Sequence, residues 1–216
     1  MKPRSHYAAI GLTLVILRFG VTGFALPDCP CGSEGHGDHD RWKMKTRNKD
    51  QVPPATKTSV DKMMQWKIPK KDRPAQEDLE EILKHSQPVT DWPYPREAKA
   101  FKVSGILRRV KMADDDCDIH MEIAGRGQGD ARIIAELPNT HEYCQLRKAV
   151  MDELNDRRIK LNGKDLPNRP RITVTGYAFF DSWHTDTKAP RKGHNHGSPK
   201  VGTLWEIHPI THVEWN

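Results

Sequence analysis

Residues 100–112, AFKVSGILRRVKM, and 117–124, CDIHMEIA, decide how this 216-residue chain is read. The first stretch is rich in β-formers. Phe101 and Val103 alternate with Lys102 and Ser104, and the apolar phase then switches at Gly105 to Ile106, Val110 and Met112. A glycine at a phase switch predicts a bulge or sharp bend within a strand. In the second stretch Cys117, Ile119, Met121 and Ile123 share one face and Asp118, His120 and Glu122 the other, because strand side chains two apart point the same way.

Further strands follow. GRGQGD (125–130) has turn composition, and ARIIAEL (131–137) reads as a third strand. Asn139 with Glu142 three residues on resembles a capping box, and Tyr143, Leu146, Val150, Met151 and Leu154 form one apolar helical stripe. GKDLPNRP (163–170) breaks that helix. RITVTGYAFFD (171–181) is a fourth strand, and TLWEIHPITHVEW (203–215) a fifth, reached through a long loop. Pro209 cannot donate a ladder hydrogen bond, so the fifth strand is expected to be an edge or to bulge there. Three strands, a helix and two strands is the order of a mainly β, five-stranded OB-type barrel, a partly open Greek-key barrel with one helix between strands three and four. The expected core is Ile119, Met121, Ile123, Ile134, Val174, Ala178, Phe180 and Ile207.

The chain begins with the pattern of an export signal. Lys2 and Arg4 precede the apolar YAAIGLTLVIL (7–17), and Gly23 and Ala25 supply small residues for cleavage. The expected organisation is a signal peptide over 1–25, an extended region with a short helix over 26–95, and the barrel over 96–216. The short helix is expected in QEDLEEILKH (76–85). No second apolar run is long enough to span a membrane. Lys2, Arg4 and Arg18 would leave with the signal, bringing 35 basic residues close to balance with 29 acidic ones. Nucleic acid or oligosaccharide remains a conceivable partner that charge does not indicate. Four cysteines suit an oxidising compartment. Cys29 and Cys31 flank one proline, and a bridge over so short a loop would be strained, so Cys117–Cys144 is the expected disulfide, the alternative being that both are buried thiols.

Several words in this order, DIHMEI (118–123), IIAELP (133–138), TGYAFFDSWH (175–184) and WEIHPI (205–210), resemble a group of exported bacterial proteins. That group carries D-x-H, I-A-E-x-P, T-G-x-x-F-F-D-x-x-H and E-L-H-P-V motifs. The resemblance covers roughly 96–215, with fainter agreement at RWKMKT (41–46). The loop after His184 is longer here than in the group. The resemblance implies export and a small barrel, and it brings no activity with it.

Acids and histidines then stand out. With strand order 1-2-3-5-4-1, Asp118, His120 and Glu136 should gather, with His208 or His212 as possible neighbours. Asp181, His184 and Glu206 should gather at the end of strand four, with His194 and His196 on the loop. His208 could serve either group, and the quartet Asp181, His184, Glu206 and His208 is the first candidate for a divalent metal, zinc above all. The structural alternative is that these pairs only hydrogen-bond neighbouring strands. HNH at 194–196 lacks the hairpin-and-helix context of the nuclease motif of that name. CPCGSEGHGDHD (29–40) could bind copper or zinc but also reads as a polar tail. LRRVKM (107–112) could touch phosphates, or simply protect a strand edge. No G-x-S-x-G, P-loop or dinucleotide fingerprint occurs. The function expected from these features is an exported OB-like binding module with a possible metal site. The alternatives are a metal-dependent hydrolase of the phosphodiesterase kind and an envelope protein that contacts other proteins.

Overall fold

The computed structural model describes residues 42–66, 96–113, 116–127, 129–181 and 198–216. The signal, the Cys29/Cys31 segment, the helix expected at 76–85, His184, His194 and His196 lie outside these residues. Seven strands form one sheet among them: β1 Thr56–Ser59, β2 Ala100–Met112, β3 Ile119–Ala124, β4 Arg132–Leu137, β5 Asn162–Asp165, β6 Arg171–Phe180 and β7 Trp205–Trp215. Five of them close on themselves in the order β2-β3-β4-β7-β6, with β6 returning to β2. The β4–β7 pair is parallel and the other four barrel pairs are antiparallel. With the helix Cys144–Asp156 between β4 and β6, this is the OB-type barrel that the element order implied.

Closure depends on β2. Its first half pairs with β6 up to Ile106, and its second half pairs with β3 from Ile106 onward. Gly105 stands at the hand-over: a Cβ there would lie 2.5 Å from the Ala124 carbonyl oxygen and from Ile123 Cγ2. The side-chain phase, however, does not change at Gly105. Phe101, Val103 and Leu107 stay inward, Ile106 is half-buried, and the phase shifts at a bulge between Leu107 and Arg109, after which Val110 points in. The bulge inserts one residue and so re-aims everything beyond it. Met112, read on one apolar phase with Ile106 and Val110, is only partly buried.

The core is built from Ile119, Met121 and Ile123 on β3, Ile133, Ala135 and Leu137 on β4, Ile172, Val174, Ala178 and Phe180 on β6, and Ile207 on β7. Ile134, expected inside, pairs with Glu122 and shares its outer face. β7 is bulged opposite Thr175–Ala178, around Pro209. Two short strands were not legible in the sequence. β1 lies parallel to β2, and the turn after it sends Val60 and Met63 into the core, as the segment 42–45 sends Met44. The second, β5, pairs with β2.

The helix buries Val150 and Leu154, and the turn before it buries Tyr143, as the stripe requires, with Leu146 and Met151 partly buried. Its capping differs from the capping-box reading. A 3-10 turn, His141–Tyr143, precedes it with Thr140 in the cap position, and the Asn139 N–H instead donates to Asp118 Oδ1 at 2.8 Å. The expected Cys117–Cys144 disulfide is not formed, because Cys117 is a thiol. The helix meets the Cys117 turn through Arg147, whose guanidinium donates to the carbonyls of Leu137 and Cys117 at 2.9 and 3.0 Å. No helix among the described residues is long and apolar enough to cross a membrane.

Candidate functional site

The outer face of β3, β4 and β7 is not a solvated face. Asp118, His120, Glu136, Glu206 and His208 project from it, and all are buried. The register explains the convergence. His120 stands directly opposite Glu136 on β4, while Ala135 stands opposite Ile207, so the flanking Glu136 and His208 lie on the face opposite the core. Phe179, paired with Glu206 from β6, lays its ring 5.4 Å from the His208 ring and walls the site on that side.

His208 lies between carboxylates. Its Nε2 is 3.1 Å from Asp118 Oδ2, and its Nδ1 is 3.0 Å from Glu136 Oε2 and 3.5 Å from Glu206 Oε2. These are ion-pair contacts: neither ring nitrogen of His208, nor Asp118 Oδ2, has a partner in hydrogen-bonding geometry. The far oxygens of the two carboxylates are held instead. Glu136 Oε1 meets His120 Nδ1 at 2.7 Å, and Asp118 Oδ1 accepts from the Asn139 N–H. Each acid is therefore tethered through one oxygen and presents the other to a shared space. Asp118, Glu136 and His208 offer three ligand atoms within 4.8 Å of one another, and this buried group could hold a metal ion.

The electrostatics show how tightly the groups are coupled. Burial opposes the charged form of His208, but the carboxylates of Asp118, Glu136 and Glu206 outweigh it and hold its pKa well above 6.5. Burial likewise works against the Glu136 charge, and His120 and His208 outweigh it, keeping the pKa well below 4.5. Burial, then the charges of Asp118 and Glu136, push Asp116 up to about 6. Lys45 enters from the segment before β1, its Nζ 4.0 Å from Asp116 Oδ2 and 5.7 Å from the Phe179 ring centroid. Its pKa is raised, because the carboxylates of Glu136, Asp181, Glu206 and Asp116 outweigh the cost of burying it.

Of the two groups read from the sequence, Asp118, His120, Glu136, Glu206 and His208 come together, and His184 lies outside the described residues. His208, which the sequence could not assign, sits with Asp118 and Glu136. Glu206 stands beside it, and Asp181 acts on the same lysine. His212 is exposed, 3.5 Å from Glu214 at the far end of β7. Lys45, Asp116 and Asn139 were not anticipated, although Lys45 lies within RWKMKT and Asp116 within the acidic run before Cys117.

Next to this site lies a second buried network. Glu122 takes Arg132 at 2.9 Å, Arg109 at 3.2 Å, and both the N–H and hydroxyl of Ser198 at 2.7 and 2.6 Å. Arg132 also forks onto Asp165 at 2.7 and 2.8 Å. Both oxygens of Glu122 and both of Asp165 have donors, so this network ties the end of the long loop and β5 to the barrel.

No protein-family model, no curated protein and no solved structure matches the chain.

Proposed function

We propose that this protein is an exported OB-type binding module that holds a divalent cation, zinc first, through Asp118, Glu136 and His208. The observation that carries the reading is the geometry of these three donors. Asp118 Oδ2 and His208 Nε2 are buried and 3.1 Å apart without a directed hydrogen bond, and Glu136 Oε2 stands on the Nδ1 side of the ring, so an ion taken by Nε2 would draw Glu136 towards it. Two ligands of one zinc ion at ~2.0–2.2 Å stand ~3–3.5 Å apart. His208 Nε2 and Asp118 Oδ2 stand 3.1 Å apart. His120 and the Asn139 N–H play the part of groups that orient ligands from behind. One imidazole with two carboxylates is a borderline-hard donor set that suits zinc. Burial of all three donors favours holding an ion over turning over a substrate. The face formed by strands two and three of an OB barrel is a common oligonucleotide surface. Here Asp118, His120, Glu122 and Glu136 on that face are buried, so they are not offered to an oligonucleotide.

Elemental analysis of protein purified from the exported fraction tests the reading. Stoichiometric zinc is expected in the wild type, and loss of it in His208→Ala with an unchanged circular dichroism spectrum. A chain that takes up no zinc, manganese or copper on incubation, or a His208→Ala variant with full metal content, refutes it. Chelator-sensitive turnover of a phosphodiester would replace it with the hydrolase reading. N-terminal sequencing of the same material tests export, with Leu26 expected as the first residue.

A further inference from the structure

Away from the acidic site, a cavity of about 500 Å³ opens between β1, the turn Val60–Met63 and the start of β2. Lys57, Lys62, Arg96 and Lys99 line it, together with the rings of Trp66 and Phe101, and no acid is among its described lining residues. Asp61, next to Lys62, packs over Gly125 instead. Elsewhere on the surface cations find carboxylates: Lys102 meets Glu214 at 2.5 Å, Lys148 meets Asp152 at 2.5 Å and Arg157 meets Glu153 at 2.6 Å. Among the described residues none of the four cavity cations is in such a pair. Four like charges gathered without a counter-charge among the described residues repel one another, and an anion relieves that repulsion.

Arg96 is also preorganised. Its guanidinium carbon lies 5.0 Å from the Trp66 ring centroid and 5.8 Å from that of Trp205, and Trp66 itself packs on Phe101 at 4.8 Å and on Trp205 at 5.5 Å. A guanidinium laid against rings keeps its N–H edge for a ligand, and its planar fork matches the oxygens of phosphate. The volume exceeds that of a lone ion and falls in the range of small-molecule pockets. The aromatic wall gives an organic body somewhere to lie.

The geometry points to a binding site for a small phosphate monoester, with Arg96 and the three lysines on the phosphate and Trp66 and Phe101 against the body it is attached to. The site is separate from the cation site and does not depend on it.

Isothermal titration calorimetry of the full exported chain at fixed ionic strength tests the proposal, with inorganic phosphate, adenosine monophosphate, glucose 6-phosphate and sulfate as probes. One of the two esters is expected to bind saturably and more tightly than sulfate. Adenosine monophosphate ahead identifies a nucleotide site, and glucose 6-phosphate ahead a sugar-phosphate site. The double variant Lys62→Ala/Lys99→Ala, both exposed positions, should weaken that ester about tenfold or more. Arg96→Gln should do the same. Lys160→Ala/Lys164→Ala, on a different basic surface, should leave it unchanged. Absence of saturable ester binding, affinity no greater than for sulfate, or equal weakening by the two lysine double variants overturns the proposal.

Discussion

Replacing Glu122 by Gln keeps the shape of the side chain and removes its charge from a fully buried position. The carboxylate there meets Arg132, also fully buried, and takes two donors from Ser198. Burial by itself would raise its pKa, but His120, Ser198 and Arg132 outweigh that and hold it at about 2, below the ordinary 4.5. A carboxyl so held contributes ~3 kcal/mol of stability at neutral pH. Removing one partner of a buried ion pair independently costs ~3–5 kcal/mol. Arg132 keeps Asp165 and Asp130, both partly exposed, which places the loss at the lower end. Because the folded pKa is depressed, this stability is present above 4.5 and is lost as pH falls through about 2. Urea unfolding of wild type and Glu122→Gln over a pH series reads it directly. The gap between the two should be ~3 kcal/mol at neutral pH and should close progressively below 4.5. A gap under ~1 kcal/mol, the scale of an exposed ion pair, would refute the reasoning. So would a gap that stays constant as the pH falls.

In chelator-treated protein, Glu136→Gln should cost most between 4.5 and 6.5: the Glu136 contribution is present above 4.5 and lost as pH falls through its lowered folded pKa, while that of His208 is full below 6.5 and lost as pH rises through its raised one. A destabilisation that changes in only one direction across the pH range, measured by the same unfolding assay, would contradict this pairing. Phe180→Ala, at a 2 % exposed core position beside Trp205, should cost ~3–5 kcal/mol, and an unchanged melting temperature would count against the register of β6. Gly176→Ala would place a Cβ 2.2 Å from the Pro209 carbonyl oxygen and should destabilise by ~1–3 kcal/mol, so a variant melting with the wild type would show that the β7 bulge yields freely.

Local periodicity made most of the barrel legible. Alternation in 119–123 and 172–180 and the stripe from Tyr143 to Leu154 depend only on neighbours along the chain, and the order of these elements was enough to name the architecture. Features that depend on pairing were not legible. β1 and β5, TKTS and NGKD, carry no apolar alternation and are strands because β2 offers them its edges. The phase change in β2 sits at a bulge rather than at its glycine. Ile134 faces outward because the register sets it opposite Glu122.

The same division runs through the candidate site. Sequence spacing placed Asp118 with His120, and Glu206 with His208, each on one strand face, and the strand order brought Glu136 to the first pair. Only closure of the barrel decided that His208 lies between Asp118 and Glu136 and that Lys45 enters from a segment before β1. A strand's own sequence determines which side chains share a face. Which faces meet, and at what distance, depends on register and shear summed around the whole barrel, where a slip of one residue would turn each of these groups to the opposite side.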